Sequence, residues 1–409
     1  MDLYLSPSIR FLFNNNRVIV FNRRNGSWMK ISRECYDILK NSIDNQSTEE
    51  ELLDSLADDE DKLYFKKLLD NLHELSSETE KKHNKINDVS ISITKRCNLE
   101  CMHCIVDADK VNNHDKYTTS QVFQIIDKVK ALKPSHITLT GGEPMIRDDF
   151  VDILKHTSSN YDGKISVMTN GTLINTDNVK PLAALAHNID ISIDGADEES
   201  CSIIRGKGVF QQVVNSIKLL HKNDYKKISL SMVLTKNNQN VVNKFYKLNE
   251  ELGTKPMLRQ LALLGRAERN SDILTQFVSN AQEISSPSEL KNKHEIIGCS
   301  CKAGVNELTI EYNGDIFPCD LFTDEQFKLG NVDEIEDLRI LFEEKNEIAC
   351  THSCLSDFEP DQHPLCCDCN VNFFCWRCLH DLYILENNID LFKERCDYMK
   401  PHLNELLWE

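Results

Sequence analysis

Between residues 89 and 264 the sequence alternates between short apolar runs and amphipathic stretches, and this alternation limits the fold more than any other feature. An amphipathic stretch such as SQVFQIIDKVKALK (120–133) is typical of a helix with one buried face. Near-continuously apolar strands that alternate with helices indicate a parallel sheet buried on both faces. Six such repeats predict an α/β fold, a partial, TIM-like (β/α)6 barrel with active-site groups at the C-terminal strand ends. The predicted strands are 89–94, 136–140, 164–169, 189–193, 227–234 and 256–264.

The first 80 residues predict a unit of three strands followed by about three helices. Asn14 to Asn16 separate two apolar, β-branched runs, which is a hairpin signature, and Asn25-Gly26 precede a third run. Ser32 is placed to cap the first helix. The polar stretch 77–88 lacks apolar periodicity and is interpreted as a linker, so that 81–88 separate the two predicted domains. The predicted strands are 8–13, 17–22 and 27–31, and the later helical segments are 48–57 and 61–76.

The sixteen cysteines are distributed unevenly. Five lie among the first 298 residues and eleven in the last 111, where the strand–helix alternation has stopped. In a reducing compartment, cysteines at this density indicate metal ligation rather than disulfides. We therefore expect residues 271–409 to form a small domain stabilised by metal sites.

Charge and hydropathy exclude two classes of partner. The formal net charge is −18, from 47 basic and 65 acidic residues, which disfavours a non-specific nucleic-acid binder. The first residues do not form a basic segment followed by an apolar one, so we expect no signal peptide. No apolar run reaches the roughly 18 residues that a membrane span needs. The sequence thus predicts a cytoplasmic protein without a membrane partner.

The sharpest motif is C-x3-C-x2-C, formed by Cys97, Cys101 and Cys104 directly after the first predicted barrel strand. Three thiolates from one loop can hold three irons of a [4Fe–4S] cluster and leave the fourth open to a small molecule. The motif resembles that of the radical S-adenosylmethionine (radical SAM) superfamily, C-x3-C-x-aromatic-C. His103 fills the aromatic position, whereas Ile105 stands where Tyr is frequent. A zinc knuckle is the alternative interpretation.

Later strand ends carry further residues that the resemblance connects with SAM. Gly141-Gly142-Glu143 follows the second strand, and the two glycines allow a close backbone approach to a ligand. In the family this motif contacts the methionyl amino group. The family also implies that Ser192 and Arg205 hold the SAM carboxylate, since Arg offers a bidentate fork. Asn170 is a weaker candidate for a SAM contact. Turns and a surface arginine are the structural alternatives for these residues.

The cysteine-rich segment resembles the SPASM domain, which binds auxiliary iron–sulfur clusters. Cys301 is followed by twelve residues, Gly314, four residues and Cys319, as in that pattern. The spacing from Cys375 to Cys378 is x2 where the family usually has x3, which makes Cys378 a less regular match. By the resemblance, Cys301, Cys319 and Cys378 hold an inner cluster, with a fourth ligand from Cys299, Cys350, Cys354 or substrate. The outer cluster is assigned to Cys366, Cys369, Cys375 and Cys396.

Three cysteines are given no ligand role. Cys35 is expected in a helix core and Cys367 as a spare thiol. Cys201 is interpreted as a buried structural residue, with hydrogen-atom donation as the alternative.

Residues 1–80 resemble the RiPP recognition element, a winged-helix-like module. Such modules bind the leader of a ribosomally made peptide as an added strand on an exposed sheet edge. A purely structural extension is the alternative.

Together these resemblances imply an oxidoreductase, a radical SAM/SPASM peptide maturase. It would use SAM, one SAM-binding and two auxiliary [4Fe–4S] clusters, and an external electron donor such as flavodoxin or ferredoxin. A 5′-deoxyadenosyl radical would abstract hydrogen from a precursor peptide, and a thioether or C–C crosslink would form.

Two alternatives remain from the sequence. One is an anaerobic sulfatase-maturating type enzyme that forms formylglycine, because Asp320 follows Cys319 where that family has its proposed base. The other is a zinc-stabilised peptide-binding protein without catalytic activity, since C-x2-C pairs also suit zinc.

Overall fold

The computed structural model describes residues 3–80, 86–111, 113–274, 298–342, 355, 357–376, 378–386 and 388–409. The chain forms two compact units. One combines Met1–His83, Ser285–Lys302 and Leu355–Glu409, and the other combines Asn84–Ile284 and Ala303–Cys354. We call these the discontinuous unit and the barrel unit. The N-terminal segment and the end of the cysteine-rich segment therefore share one unit, whereas the domain ranges 1–80, 89–270 and 271–409 stay predictions.

The N-terminal part of the discontinuous unit has the predicted order of three strands and three helices. Its antiparallel sheet has the order β1-β2-β3, and Ser32 caps the first helix by accepting a hydrogen bond from the Cys35 N–H at 3.1 Å. The last helix continues to Glu80, so the prediction of a linker from residue 77 is wrong for 77–80: this stretch contains no glycine or proline to end the helix. The elements are β1 (Ile9–Asn14), β2 (Arg17–Asn22), β3 (Trp28–Ser32), α1 (Arg33–Asp44), α2 (Glu49–Ser55) and α3 (Asp59–Glu80).

The barrel unit contains six parallel strands in chain order, which confirms the prediction of a βα-repeat sheet. The strands are β4 (Asp88–Ser92), β5 (His136–Thr140), β6 (Lys164–Thr169), β7 (Asn188–Ser192), β8 (Ile228–Val233) and β9 (Lys255–Arg259). The helices are α4 (Thr119–Ala131), α5 (Phe150–Ser158), α6 (Val179–Leu185), α7 (Glu198–Arg205), α8 (Val209–Lys222), α9 (Val242–Leu252), α10 (Arg266–Arg269) and α11 (Ser271–Leu274). Ile137, Leu139 and Ile191 are fully buried in the core that the strands share with these helices.

Two features of the barrel sheet differ from the sequence prediction. The sixth strand ends at Arg259 instead of 264, because the chain turns sharply where the Leu264 N–H donates to the Ala262 carbonyl at 3.0 Å. Three further strands join the other edge, where β10 (Glu307–Ile310) pairs in parallel with β4. β11 (Asp315–Phe317) pairs antiparallel with β10, and β12 (Gly330–Asn331) pairs antiparallel with β11. Part of the segment predicted as a separate domain therefore belongs to the barrel sheet.

The C-terminal part of the discontinuous unit contains α12 (Asn372–Cys375), α13 (Leu379–Glu386) and α14 (Ile389–Trp408). It packs on the N-terminal sheet. Phe21 of β2 stacks on Phe373, with ring centroids 4.6 Å apart, and meets Phe374 edge-on at 5.6 Å. A Cβ atom at Gly298 would lie 2.1 Å from the Phe21 ring, so the glycine permits the chain to pass there. The helices described include none that is long and apolar enough to cross a membrane.

The central strand β2 is buried on both faces, because helices cover one face of the sheet and the C-terminal part of the unit covers the other. Val18 and Val20 pack with the helices α1 to α3, and Phe21, which points to the opposite face, is also fully buried. The N-terminal sheet is thus an inner layer of its unit.

We predict that Phe21→Ala destabilises the discontinuous unit by about 3–5 kcal/mol, since it leaves a cavity between the sheet and α12. The three tryptophans of the chain, Trp28, Trp376 and Trp408, all lie in this unit, so its denaturant unfolding can be followed by tryptophan fluorescence. Phe13→Ala is the control, because Phe13 of the same sheet is 40% exposed. Equal losses for both variants would contradict the layered arrangement.

Candidate functional site

A loop at the C-terminal edge of the barrel carries Cys97, Cys101 and Cys104. A short connecting segment separates this loop from β4. Cys101 is buried and the other two thiols are half-buried. N–H groups approach each sulfur. The Leu99 amide donates to Cys97 Sγ at 3.4 Å and the Ala108 amide to Cys104 Sγ at 3.5 Å, and Arg205 Nη1 donates to Cys101 Sγ at 3.8 Å.

These thiols have an environment that suits an iron–sulfur cluster. Burial raises the pKa of Cys97 to about 11, and burial likewise raises the pKa of Cys101, which Arg205 counteracts. Without a cation the thiols of Cys97 and Cys101 would therefore stay protonated at neutral pH. The converging N–H donors instead match what the sulfurs of a cluster accept. In the described part of the chain, no three His, Cys, Asp or Glu side chains are grouped as ligands of a single metal ion.

The two glycines after β5 lie against the cysteine loop. A Cβ atom at Gly141 would come within 2.3 Å of the Thr94 carbonyl oxygen, and one at Gly142 within 2.3 Å of the Arg96 carbonyl oxygen. Hydrogen bonds from Gly142 N to Thr94 O at 2.9 Å and from Glu143 N to Arg96 O at 2.8 Å join the two segments. The close approach that the sequence predicted for a ligand is thus made here to the protein's own backbone.

Glu143 is fully buried beside the cysteine loop. Its carboxylate accepts hydrogen bonds from Thr169 Oγ1 at 2.8 Å, Asn170 N at 2.7 Å and Met145 N at 3.1 Å. Burial nevertheless raises the pKa of Glu143 above its ordinary value, so a nearby cation would stabilise the charged form. The side-chain amide of Asn170 lies 3.7 Å from Cys97 Sγ, which brings both predicted residues to the cysteine loop.

Asp194, which follows β7, is a residue whose role the sequence did not identify. Its carboxylate accepts hydrogen bonds from His103 Nε2 and from Arg205 Nε, each at 2.5 Å, and from the Val233 amide at 2.6 Å. Burial alone would raise the pKa of Asp194, but Arg205 and His103 together hold it well below its usual range. The residue adopts a left-handed backbone with φ of 53°. Asp194-Gly195 is a dipeptide typical of turns, and only the burial of Asp194 reveals a charged centre.

The predicted SAM residues are placed around this centre. His103 and Arg205 both bind Asp194, and Ser192 is half-buried with its hydroxyl 3.3 Å from that of Ser231. His103 Nδ1 is buried and has no hydrogen-bond partner among the residues described, so one polar atom of this site is available to a ligand.

Arg266 is a second residue that the sequence did not assign. Its Nε donates to the Cys101 carbonyl at 3.1 Å, and its amide donates to the Cys104 carbonyl at 2.9 Å. The preceding Gly265 fits because a Cβ atom there would lie 2.5 Å from the Ile105 carbonyl oxygen. A Gly-Arg pair beyond the last barrel strand was the available signal.

The four cysteines predicted for the outer cluster lie near one another in the discontinuous unit. Burial raises the pKa of Cys366 to about 12 and of Cys375 to about 11, and the neighbouring thiols contribute to both shifts. Cys369 and Cys396 are among those neighbours. The Cys369 amide donates to the Cys366 carbonyl at 2.9 Å, which closes the C-x2-C turn.

The predicted inner set is only partly described. Burial raises the pKa of Cys299, with Cys301 and Cys378 as further causes, so these three thiols are neighbours. Cys319 belongs to the barrel unit, and Cys350 and Cys354 lie outside the described residues.

The remaining cysteines and Asp320 were predicted to have other roles. Cys201 is fully buried in the barrel core, Cys35 is half-buried and Cys367 is exposed. Asp320 is exposed to solvent, yet surrounding protein raises the pKa of its carboxyl group, which Arg259 counteracts.

Comparison with known proteins assigns families to two segments. Residues 91–248 match the radical SAM superfamily, and residues 299–370 match SPASM, an iron–sulfur cluster-binding domain. The chain is 26% identical over 259 residues to the mycofactocin maturase MftC of Mycolicibacterium smegmatis, a match covering 59% of this chain and 66% of that protein, just short of two thirds. It is 30% identical over 167 residues to an AdoMet-dependent heme synthase of Methanosarcina barkeri, covering 40% and 47%.

Solved structures share the fold. Streptococcus suis SuiB bound to S-adenosylmethionine aligns with a TM-score of 0.57 at 17% identity, covering 91% of this chain and 94% of that chain. SuiB bound to its precursor peptide SuiA gives 0.54 at 16% identity, covering 92% and 94%. The enzyme anSMEcpe with bound AdoMet gives 0.52 at 18% identity, covering 78% and 94%.

We predict that Asp194→Asn destabilises the barrel unit by about 3–5 kcal/mol, because it leaves Arg205 as a buried charge without its partner. The denaturant unfolding transition seen by far-UV circular dichroism should shift to a lower denaturant concentration. Asp190→Asn, which changes a half-buried carboxylate of β7, should alter stability little. An unchanged Asp194→Asn transition would show that the ion pair does not stabilise the barrel.

Proposed function

We propose that this chain is a peptide maturase. The premise is that residues 91–248 match the radical SAM superfamily and residues 299–370 match a SPASM domain. The chain would abstract hydrogen from a ribosomally made precursor peptide and install a thioether or C–C crosslink. The observation that carries the proposal is the cysteine loop, whose three sulfurs receive N–H donors at the C-terminal edge of the barrel.

The chain's own residues would bind and orient the cofactors. When bound, a [4Fe–4S] cluster and SAM supply the reductive cleavage that yields a 5′-deoxyadenosyl radical. Cys97, Cys101 and Cys104 would hold the cluster. Glu143 is suited to a cationic amine, since burial disfavours its charge until a cation is near. Arg205 is held by Asp194 so that its guanidinium faces Cys101.

The remaining SAM contacts are assigned by family resemblance with support from burial. Ser192 and Asn170 lie at the ends of adjacent strands, β7 and β6, and His103 presents its unpartnered Nδ1. These side chains would position SAM and exclude water from it.

Two auxiliary [4Fe–4S] clusters complete the proposed set of three. The outer one would be held by Cys366, Cys369, Cys375 and Cys396. By the resemblance, the inner one would be held by Cys301, Cys319 and Cys378 with a fourth ligand from Cys299, Cys350, Cys354 or substrate. The thiol of Cys299 neighbours those of Cys301 and Cys378. Auxiliary clusters suit a net oxidation, and the formation of a crosslink is a net oxidation of the peptide.

The proposed partners are a precursor peptide and a small electron-transfer protein such as flavodoxin or ferredoxin, in the cytoplasm. The likeness in fold to SuiB solved with SuiA supports a peptide partner. We assign leader binding to residues 1–80, on an edge of the three-stranded sheet.

Formylglycine formation is the second candidate. It is supported by the raised pKa of Asp320, which suits an acid or base, and by the fold shared with anSMEcpe. The N-terminal recognition-like sheet favours the maturase.

We predict that anaerobically reconstituted protein, given SAM, reductant and the precursor peptide encoded beside its gene, removes two hydrogens from the peptide for each crosslink. Mass spectrometry measures the loss, and missing fragment ions between the joined residues locate the bond. Hydroxylamine distinguishes the alternative, because only a formylglycine aldehyde reacts with it. Unmodified peptide together with SAM turnover would contradict the maturase assignment.

We predict that one sheet edge of residues 1–80 contributes backbone hydrogen bonds to the leader. Hydrogen bonds from Asn22 N to Ser27 O and from Arg33 N to Asn16 O show which residue pairs of the sheet are hydrogen-bonded. Hydrogen-bonded and non-hydrogen-bonded pairs alternate along each strand. The backbone N–H and C=O groups of Phe13 in β1 and Lys30 in β3 therefore point away from β2. Proline at the edge that is used removes one donor and should weaken peptide binding by about 2- to 12-fold.

The measurement is fluorescence anisotropy of a labelled leader with Phe13→Pro and Lys30→Pro, each beside its alanine variant, which keeps the N–H. Point substitutions are preferable to deleting residues 1–80, because deletion would also remove the layer that packs on Phe373. Unchanged affinity in both proline variants would exclude strand addition.

A further inference from the structure

We propose that Arg395 and Trp376 are positioning residues of the outer auxiliary cluster, whose N–H groups and positive charge make its reduction potential less negative. The inference rests on the proposed function, because it takes the Cys366, Cys369, Cys375 and Cys396 set as cluster ligands. It adds two residues that are not ligands.

Arg395 is fixed in place from two sides. It precedes the ligand Cys396 on α14, and its Nη2 donates to the carbonyl oxygen of Cys375 at 2.6 Å. The guanidinium carbon lies 4.6 Å from the centre of the Trp376 ring, which is the geometry of a cation–π contact. A side chain held in this way presents its remaining N–H groups in a defined direction.

Two N–H groups of this pair have no acceptor of normal geometry within the described ranges. They are Arg395 Nε and Trp376 Nε1, and both are buried. Trp376 as a whole is 1% exposed, so bulk water does not reach its indole. Buried donors are normally hydrogen-bonded, so two in neighbouring side chains indicate acceptors that complete the site.

The sulfurs of the four cysteines are the groups that these donors affect. The Trp376 side chain lies beside the thiol of Cys366. The Arg395 side chain lies beside the thiol of Cys375 and also donates to the Cys375 carbonyl oxygen. An indole N–H and a guanidinium charge next to sulfur both favour negative charge there.

Stabilised negative charge has a direct redox consequence. Reduction adds one electron to a cluster in surroundings that solvate charge poorly. N–H donors to sulfur and a nearby cation stabilise the reduced form more than the oxidised form, so the reduction potential rises. A purely structural role, in which Arg395 only joins α14 to α12, predicts no such change.

The experiment is an EPR-monitored redox titration of the full chain, reconstituted anaerobically in a background with Cys97, Cys101 and Cys104 changed to Ala. This background retains only the auxiliary clusters, and the outer signal is the one that Cys369→Ala abolishes. Arg395→Gln removes the charge, Arg395→Lys keeps it, and Trp376→Phe keeps the ring but removes the N–H. Lys393→Gln is the control, because it removes an exposed positive charge from the same helix.

We expect Arg395→Gln and Trp376→Phe to lower the midpoint potential of the outer cluster, Arg395→Lys to restore most of it, and Lys393→Gln to leave it unchanged. Unchanged potentials in both test variants, or an equal shift in Lys393→Gln, would overturn the inference. If Arg395→Gln loses the cluster, Trp376→Phe decides by the same criterion. A background protein without iron would instead contradict the proposed auxiliary clusters themselves.

Discussion

The site depends on a backbone contact between the cysteine loop and the turn after β5. Gly141 and Gly142 come so close to Thr94 and Arg96 that no side chain fits between the segments. The amides of Gly142 and Glu143 donate across this contact, so the loop is hydrogen-bonded to the end of the neighbouring strand. This contact fixes the positions of the three thiols, because their loop makes few backbone hydrogen bonds within itself. A ligand loop for a cluster needs such support, since its geometry is otherwise set only by the metal.

Asp194 gives the same region its electrostatic order. A buried carboxylate between His103 and Arg205 costs solvation free energy that its two partners offset. Because Arg205 also reaches Cys101, a single acid connects β7 with the cysteine loop. The discontinuous unit has a similar arrangement, in which Arg395 links α14 to the backbone of Cys375. In both units an arginine lies beside cysteines that are proposed cluster ligands.

The sequence was sufficient to predict the features that depend on a local pattern of residues. The six barrel strands follow from apolar runs, although the sixth ends earlier than predicted, and cysteine spacing predicted the loop and the outer quartet. The sequence was insufficient where long-range packing decides. Nothing local shows that β10 adds to the edge of β4, or that Phe21 meets Phe373. The sequence around Asp194, Ser-Ile-Asp-Gly, is typical of a turn, and its buried ion pairs depend on partners 91 and 11 residues away.

The discontinuous unit has a consequence for how the protein is made. Arg10 binds Asp361 from 351 residues away, and Phe21 and Phe373 are separated by a similar stretch of chain. At a synthesis rate of roughly 5–20 residues per second, the apolar face of the N-terminal sheet stays uncovered for roughly 20–70 s until its covering layer is made. The barrel can fold during that time. Phe21 and its neighbours therefore form an aggregation-prone surface until translation reaches the final helices.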